Sequence, residues 1–165
     1  MSDTLKDKVL KAQAEGSIAG LYVLEAEAQE SLESEQDLIA FYANILDLAL
    51  ENLTNTLEAA RTMNMTEVED FATLRALYEY AMEHYSAGKS RDASALFEIL
   101  AGLTDDVLFK RAMNTHKIGA DAGITLDMFI ATIGDVDATH AVGNFYISHF
   151  KKEALAAMER AEKPS

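Results

Sequence analysis

Histidine is the side chain of this sequence best suited to acid–base or metal chemistry near neutral pH, and it occurs four times. A di-iron helical bundle needs paired Glu-x-x-His motifs, which place a carboxylate and an imidazole one helical turn apart. The positions three residues before the histidines hold Ala81, Met113, Asp137 and Tyr146. The motif is therefore absent. His140 and His149 are nine residues apart, so a shared helix would place them on different sides, where they cannot share a metal locally.

Other motifs that carry chemistry are also missing from the sequence. Asp137 and His140 have the spacing of a local acid–base pair, although a hydrogen bond at a helix surface explains the same spacing. His-Glu-x-x-His, phosphate-binding glycine loops and the Gly-x-Ser-x-Gly elbow do not occur. Cysteine is absent, which excludes disulfides, thiolate metal sites and cysteine nucleophiles. We therefore predict that the protein is not an enzyme, with no catalytic residue, no cofactor and no metal.

The charged residues are strongly unbalanced, because 28 acidic and 14 basic side chains give a formal net charge of −14. Residues 1–70 hold 15 acidic and 4 basic side chains, so most of the excess lies in this half. Such a surface repels nucleic-acid phosphates and anionic lipids, and it attracts a basic partner. The same charge also serves plain solubility, and the sequence leaves both explanations open.

The elements that position these residues are predicted to be helices. The chain has 165 residues and is 49% hydrophobic, which is typical of one globular domain. One proline and eight glycines are too few for the turns of an all-β protein. We predict a single all-α domain over residues 1–165, with acidic N-terminal helices over 1–63 and a helical-hairpin region over 66–162. No apolar run could span a membrane and no signal peptide is seen, so we expect a cytoplasmic protein.

About seven or eight helices are expected from the apolar spacing. A long helix over residues 35–62 has an apolar face wide enough to pack on more than one neighbour. Thr66 and Glu69 form a capping-box pattern that opens a helix ending at Gly88. Further helices are predicted over residues 90–103, 104–118, 125–133 and 135–162, the last with only a weak break near His149.

The two helices that meet at Gly88 carry the pattern of bulky, small and aromatic residues found in tetratricopeptide repeats. The matching positions are Leu77, Tyr80, Ala81, Tyr85, Gly88, Ala93 and Phe97. Ala81 and Ala93 allow two helix backbones to approach, and Phe97 fills the space beside them. The proline that usually closes the repeat is missing, and Asp105 stands near its place. Residues 77–109 therefore resemble a tetratricopeptide-like helical hairpin.

The same segment resembles more closely the first repeat of the type III secretion chaperones that hold translocator subunits. That resemblance rests on Tyr85, Gly88, Lys89, Ala93, Phe97, Leu100, Leu103, Asp106 and Phe109. A second hairpin around Ala112 and Gly119 matches less well. A third is weaker still, with Gly143, Tyr146, Ala154, Met158, Ala161 and Pro164. The first 65 residues exceed the usual leader of that family.

The resemblance implies a concave surface, lined by the first helix of each hairpin, that holds a peptide. The corresponding partner-binding residues are Arg75, Tyr78, Met82, Tyr85, Phe109, Met113 and His116. This surface would be aromatic and rich in methionine, with one or two cations, and would suit an extended apolar peptide. The alternative is that the same side chains are internal to a closed bundle.

The predicted function is a non-enzymatic protein-interaction module, such as a cytoplasmic chaperone or adaptor that binds a peptide segment in a helical groove. Its partner would be a basic or apolar protein or peptide, and not a nucleic acid. The alternative is a phasin-like amphipathic protein on storage granules, because residues 35–62 form a long helix rich in apolar residues. That helix has more apolar surface than one neighbour covers, so we also predict a homodimer through residues 18–62.

Overall fold

A computed structural model of the protein describes residues 3–31, 34–154 and 156. These residues form nine helices of six or more residues: α1 (Asp3–Glu15), α2 (Ile18–Val23), α3 (Glu25–Ser31), α4 (Glu35–Glu58), α5 (Val68–Ser86), α6 (Ser90–Leu103), α7 (Val107–Asp121), α8 (Leu126–Thr132) and α9 (Val136–Val142). Residues 152–154 are helical again. The predicted all-α fold is confirmed. None of the described helices is long and apolar enough to cross a membrane.

The contacts divide the chain into two compact units, Met1–Leu77 and Tyr78–Ser165. The boundary between them lies inside α5. The N-terminal half of α5 is bonded to α2 through Glu69. Its C-terminal half packs on α6 through the ring of Tyr78. One helix therefore contributes to both units.

The long predicted helix of the first unit forms as α4. Its buried residues are Phe41, Ile45, Ala49 and Thr56. Ser34 starts the helix, because its Oγ accepts a hydrogen bond of 3.0 Å from the amide of Asp37. The helix ends at Glu58, short of the predicted Thr62, and Ala60 then adopts a left-handed conformation with a φ of 52°. The end of α4 is therefore set by the turn that follows it.

The capping box predicted at the start of α5 is wrong. The hydroxyl of Thr66 donates to Oδ1 of Asn64 at 2.7 Å. The Glu69 carboxylate instead accepts hydrogen bonds from Oγ of Ser17 at 2.7 Å and from the amide of Ile18 at 2.9 Å. That amide is at the first turn of α2, where a helix has unpaired N–H groups and a positive end. Glu69 therefore caps α2 rather than its own helix.

Asp70 fixes the connection between α4 and α5. Its carboxylate accepts hydrogen bonds of 3.2 and 3.3 Å from the Arg61 guanidinium and one of 3.0 Å from the amide of Asn64. Burial alone would raise the pKa of Asp70, but the hydrogen bonds from Asn64 and Arg61 outweigh burial and hold this pKa below its usual 3.8. The turn is thus held by hydrogen bonds to a charged group, which are the stronger kind.

In the second unit, α6 and α7 pack along each other. α6 has the predicted bounds, and its Ala93 and Phe97 are completely buried. Ala81, the small residue expected on the other side of the hairpin, is also buried. The Phe97 ring contacts Tyr78 and Tyr85 of α5, with centroids 6.4 and 6.0 Å apart. The Phe97 ring therefore joins α6 to the C-terminal part of α5, and the tetratricopeptide-like character of these two helices stays a prediction.

Helix α7 continues beyond its predicted end at Ile118. It passes through Gly119 and finishes at Asp121. The ring of Phe129 lies so close to Gly119 that an added Cβ would be 2.7 Å from its Cδ2 atom. The glycine is therefore needed for the approach of α8 and does not mark the end of a helix.

The single helix predicted over residues 135–162 is also wrong, because α9 ends at Val142 and is capped by Gly143. This glycine has a φ of 73°, which favours a residue without a side chain. The following segment pairs with earlier elements, since the amide of Asp135 donates to the carbonyl of His149 and that of Lys151 to the carbonyl of Ile133. These residues cannot make the same bonds inside a helix. The third hairpin suggested by the sequence thus has no helix just after Gly143, and its later positions at Met158, Ala161 and Pro164 lie outside the described residues.

Candidate interaction surfaces

The seven residues predicted to line a peptide groove fall into two groups. Five side chains are buried: Tyr78, Tyr85, Phe109, Met113 and His116. Met82 and Arg75 are half-buried. The buried five all belong to the second unit, a placement that corresponds to the alternative of a closed bundle. Binding of a partner by the seven residues stays a prediction.

An aromatic cluster surrounds His116 in the interior of the second unit. The imidazole contacts four rings at centroid distances of 4.9 to 6.1 Å: Phe129, Phe97, Tyr78 and Phe150. Phe109 joins the cluster through Tyr146, whose ring centroid is 5.0 Å away. Edge-to-face and tilted contacts of this kind stabilise a core beyond the burial of area. The aromatic residues that we expected on a groove thus form a core.

The hydrogen bonds of His116 define its protonation. Nδ1 lies 2.6 Å from the carbonyl of Ala112, which can only accept, so Nδ1 carries the proton. Nε2 then accepts a hydrogen bond of 2.9 Å from the hydroxyl of Tyr78. The same hydroxyl accepts a hydrogen bond of 3.1 Å from the amide of Ile147. Burial lowers the pKa of His116 to about 4 and raises the pKa of Tyr78 far above its usual 10. Both groups are therefore uncharged at neutral pH.

No group of three or more His, Asp or Glu side chains arranged to hold a metal ion occurs among the described residues. The described acidic side chains with lowered pKa values are paired locally instead. Asp121, for example, accepts hydrogen bonds from Lys117 at 2.6 Å and from Ser94.

An open cleft lies in the first unit, between α2 and α5. Its volume is about 360 Å³. The lining residues are Ala19, Tyr22, Val23, Met65, Thr66, Glu67, Val68, Phe71, Ala72 and Arg75. Three of its large apolar side chains are solvent-exposed, Val23 at 82%, Val68 at 68% and Phe71 at 42%. The cleft therefore offers apolar surface that the described chain does not cover.

Polar contacts hold the two walls of this cleft in place. The Arg75 guanidinium lies 3.8 Å from the centre of the Tyr22 ring, a cation–π geometry. Its Nη2 also donates to the carboxylate of Glu25 at 3.0 Å. The bonds from Ser17 and Ile18 to Glu69 join the other end of α2 to α5. The cleft is thus a pre-formed feature of this unit.

Arg75 is the one predicted partner-binding residue that lines the cleft. Tyr22, Phe71 and Met65 line the cleft beside Arg75. Sequence analysis did not identify these three residues as part of a site, because they come from separate segments of the chain. The cation–π pair of Tyr22 and Arg75, which are 53 positions apart, has no local signal in the sequence.

A second surface with exposed apolar residues runs along α4, next to its buried face. Apolar residues alternate at spacings of four and three, and we call them the outer stripe: Ile39, Ala43, Leu46, Leu50, Leu53 and Leu57. Ile39 and Leu57 are each 61% exposed. Ala43 and Leu50 are also exposed, and Leu46 and Leu53 are half-buried. Beside the stripe lie three exposed carboxylates, which we call the acidic row: Asp47, Glu51 and Glu58. α4 contains no Lys or Arg.

Comparison with protein families, curated proteins and solved structures finds no match to this chain. The resemblance to tetratricopeptide chaperones therefore rests on the residues of the hairpin around Gly88 and stays a prediction.

Proposed function

We propose that the protein is a non-enzymatic protein-interaction module, a chaperone or adaptor that binds an apolar segment of a partner protein. The observation that carries this proposal is the cleft between α2 and α5. Large apolar side chains grouped at one exposed place are characteristic of interaction sites. Val23, Val68 and Phe71 form such a group, around a concave surface.

The dimensions and polarity of the cleft favour a short peptide segment. A volume of about 360 Å³ accommodates a few side chains and lies at the lower end of the range for ligand sites. Aromatic residues such as Tyr22 and Phe71 dominate the affinity of protein interfaces, because they bury large areas. The ion pair of Arg75 with Glu25 provides a polar rim, which fixes orientation more than it adds affinity.

A photo-reactive cross-linker at residue 68 tests this proposal in cells that produce the protein. We expect benzoylphenylalanine in place of Val68 to form a covalent adduct with a partner. The matched control places the same group at Ile99, which is exposed on α6 of the second unit. Val23→Asp should then abolish the adduct and leave the melting temperature unchanged, since Val23 is mostly exposed. Absence of an adduct at position 68, or equal adducts at both positions, would contradict the proposal.

The phasin-like alternative draws its support from the outer stripe of α4, which is apolar and exposed. The acidic row beside the stripe weakens this alternative, because helices that lie on membrane or granule surfaces usually carry Lys and Arg on their polar face. Flotation of the protein with neutral lipid vesicles tests it. The homodimer predicted through residues 18–62 would use the same helix and also stays a prediction.

A further inference from the structure

We propose that the outer stripe of α4 binds an amphipathic helix of a partner protein, and that this helix carries Lys or Arg along one side of its apolar face. The surface lies on a different helix from the cleft of the proposed function. The two proposals can therefore fail separately.

The outer stripe has the geometry of a helix-binding seam. Each residue of an α-helix turns by roughly 100°, so the six stripe positions fall within an arc of about 80°. They extend over roughly 27 Å of helix, about five turns. Spacings that alternate between four and three residues keep a straight apolar seam against a second helix. A partner helix of similar length would cover Ile39 at one end and Leu57 at the other.

The buried face of α4 is centred on another side of the helix from this seam. Phe41, Ile45 and Ala49 are buried within the first unit. The same rotation per residue places Ala49 about 100° from Leu50 and Ile45 about 140° from it. Leu53 lies about 40° from Ala49. Like Leu46 it is half-buried, so the stripe borders the buried face along one edge, and its exposed residues are Ile39, Ala43, Leu50 and Leu57. Isolated apolar residues are common at protein surfaces, but a continuous row of them, such as this stripe, is not.

The charges beside the stripe identify the chemistry of the partner. Asp47, Glu51 and Glu58 are exposed and lie roughly 60° to 100° from Leu50, all on one side. α4 itself has no basic residue. Arg61, which lines a pocket with Glu51, is bonded to Asp70. A helix with Lys or Arg opposite this row would gain favourable Coulomb interactions and a faster association rate.

A second copy of the chain fits this surface less well. Self-pairing would bring a second acidic row close to the first, with no base on either helix. Unpaired like charges within a Debye length of about 10 Å oppose association. A basic helix has the same apolar contacts without this repulsion, so we choose it over the second copy.

Two synthetic peptides of about 21 residues test the inference by fluorescence anisotropy. Both carry Leu at alternating spacings of three and four, and their polar positions are all Lys in one peptide and all Glu in the other. We expect the Lys peptide to bind the full-length protein, and to bind roughly tenfold more weakly in about 500 mM than in about 50 mM NaCl. The Glu peptide should not bind.

Variants of α4 separate binding at this face from general attraction to an acidic protein. Asp47→Lys, Glu51→Lys and Glu58→Lys together should reverse the preference, so that the Glu peptide binds and the Lys peptide does not. The matched control is Glu83→Lys, Asp92→Lys and Glu98→Lys, which makes the same charge change at exposed positions of the second unit and should keep the original preference. The double substitution Leu50→Ser, Leu57→Ser should lower the affinity for the Lys peptide by roughly tenfold or more. Circular dichroism checks that all variants remain helical.

Three results would overturn the inference. The first is equal binding of the Lys peptide to the wild type and to the acidic-row variant. The second is equal binding to the Leu50→Ser, Leu57→Ser variant. The third is a peptide-free species of twice the 18.1 kDa chain mass in sedimentation, which the two serine substitutions convert to the single chain. That result would assign the stripe to a second copy.

Discussion

The hydroxyl of Tyr78 donates a hydrogen bond of 2.9 Å to Nε2 of His116, and both side chains are buried. The bond joins α5 to α7 across 38 positions of sequence. The same hydroxyl accepts a hydrogen bond from the amide of Ile147, so it also anchors the non-helical segment after α9. Two residues that we expected on a peptide groove therefore hold the interior of the second unit together.

Replacing Tyr78 by phenylalanine should destabilise the protein by about 1–3 kcal/mol, because it leaves Nε2 of the buried His116 without a partner and removes the acceptor of the Ile147 amide. Urea unfolding at neutral pH measures the change. Tyr80→Phe is the matched control on the same helix, where Tyr80 is half-buried, and should change stability by less than about 0.5 kcal/mol. Equal effects of the two substitutions would contradict the role of the Tyr78 hydroxyl.

The stability of the protein should fall in mild acid because of His116. Burial lowers its pKa from the usual 6.5 to about 4 in the folded protein. The unfolded chain therefore binds a proton at His116 between these pH values and the folded chain does not. The contribution of neutral His116 to the free energy of unfolding is complete above pH 6.5. It is lost as the pH falls towards 4, and the total loss is roughly 3 kcal/mol.

Urea unfolding at about pH 7 and about pH 5 detects this loss. His116→Phe keeps a ring in the aromatic cluster but cannot titrate, so its unfolding free energy should depend less steeply on pH. An identical pH dependence in wild type and variant would show that His116 does not cause the loss.

Gly119→Ala should destabilise the second unit by about 1–3 kcal/mol, because the new Cβ would lie 2.7 Å from Cδ2 of Phe129 and 3.3 Å from the Tyr85 hydroxyl. Gly102→Ala in α6 is the control. Its Cβ would meet no atom within 4 Å, and alanine favours a helix over glycine, so stability should rise by about 0.5–1 kcal/mol. Thermal unfolding compares the two. Opposite signs are expected, and a neutral Gly119→Ala would show that α8 does not approach so closely.

Ala93→Leu should cost about 1–3 kcal/mol, because Ala93 is completely buried in the hairpin and a larger side chain overpacks the site. Ala95 lies on the exposed side of the same helix. Ala95→Leu should therefore leave the stability nearly unchanged, since both residues are good helix formers. An unchanged melting temperature for Ala93→Leu would remove the support for the tetratricopeptide-like hairpin.

The helices could be predicted where local chemistry sets their ends. α6 has its predicted bounds. Thr125 starts α8 as predicted, through a side-chain hydrogen bond from the amide three residues further along. α7 begins three residues later than predicted, at Val107, because Asp106 and not Thr104 caps it. The buried Ala93 and Phe97 follow from apolar spacing along one helix. Such features depend on residues within one or two turns of each other, and those residues are adjacent in the sequence.

Only the tertiary structure decided which neighbour each face meets. Glu69 has the spacing of a capping box with Thr66, yet its carboxylate bonds to Ser17, a residue 52 positions away. The segment after Gly143 has helix-forming residues, but its amides bond to groups on other elements. Periodicity shows that Tyr78 and His116 lie on apolar faces and that α4 has two such faces. It does not show which face another element covers, because burial depends on contacts between residues far apart in the chain.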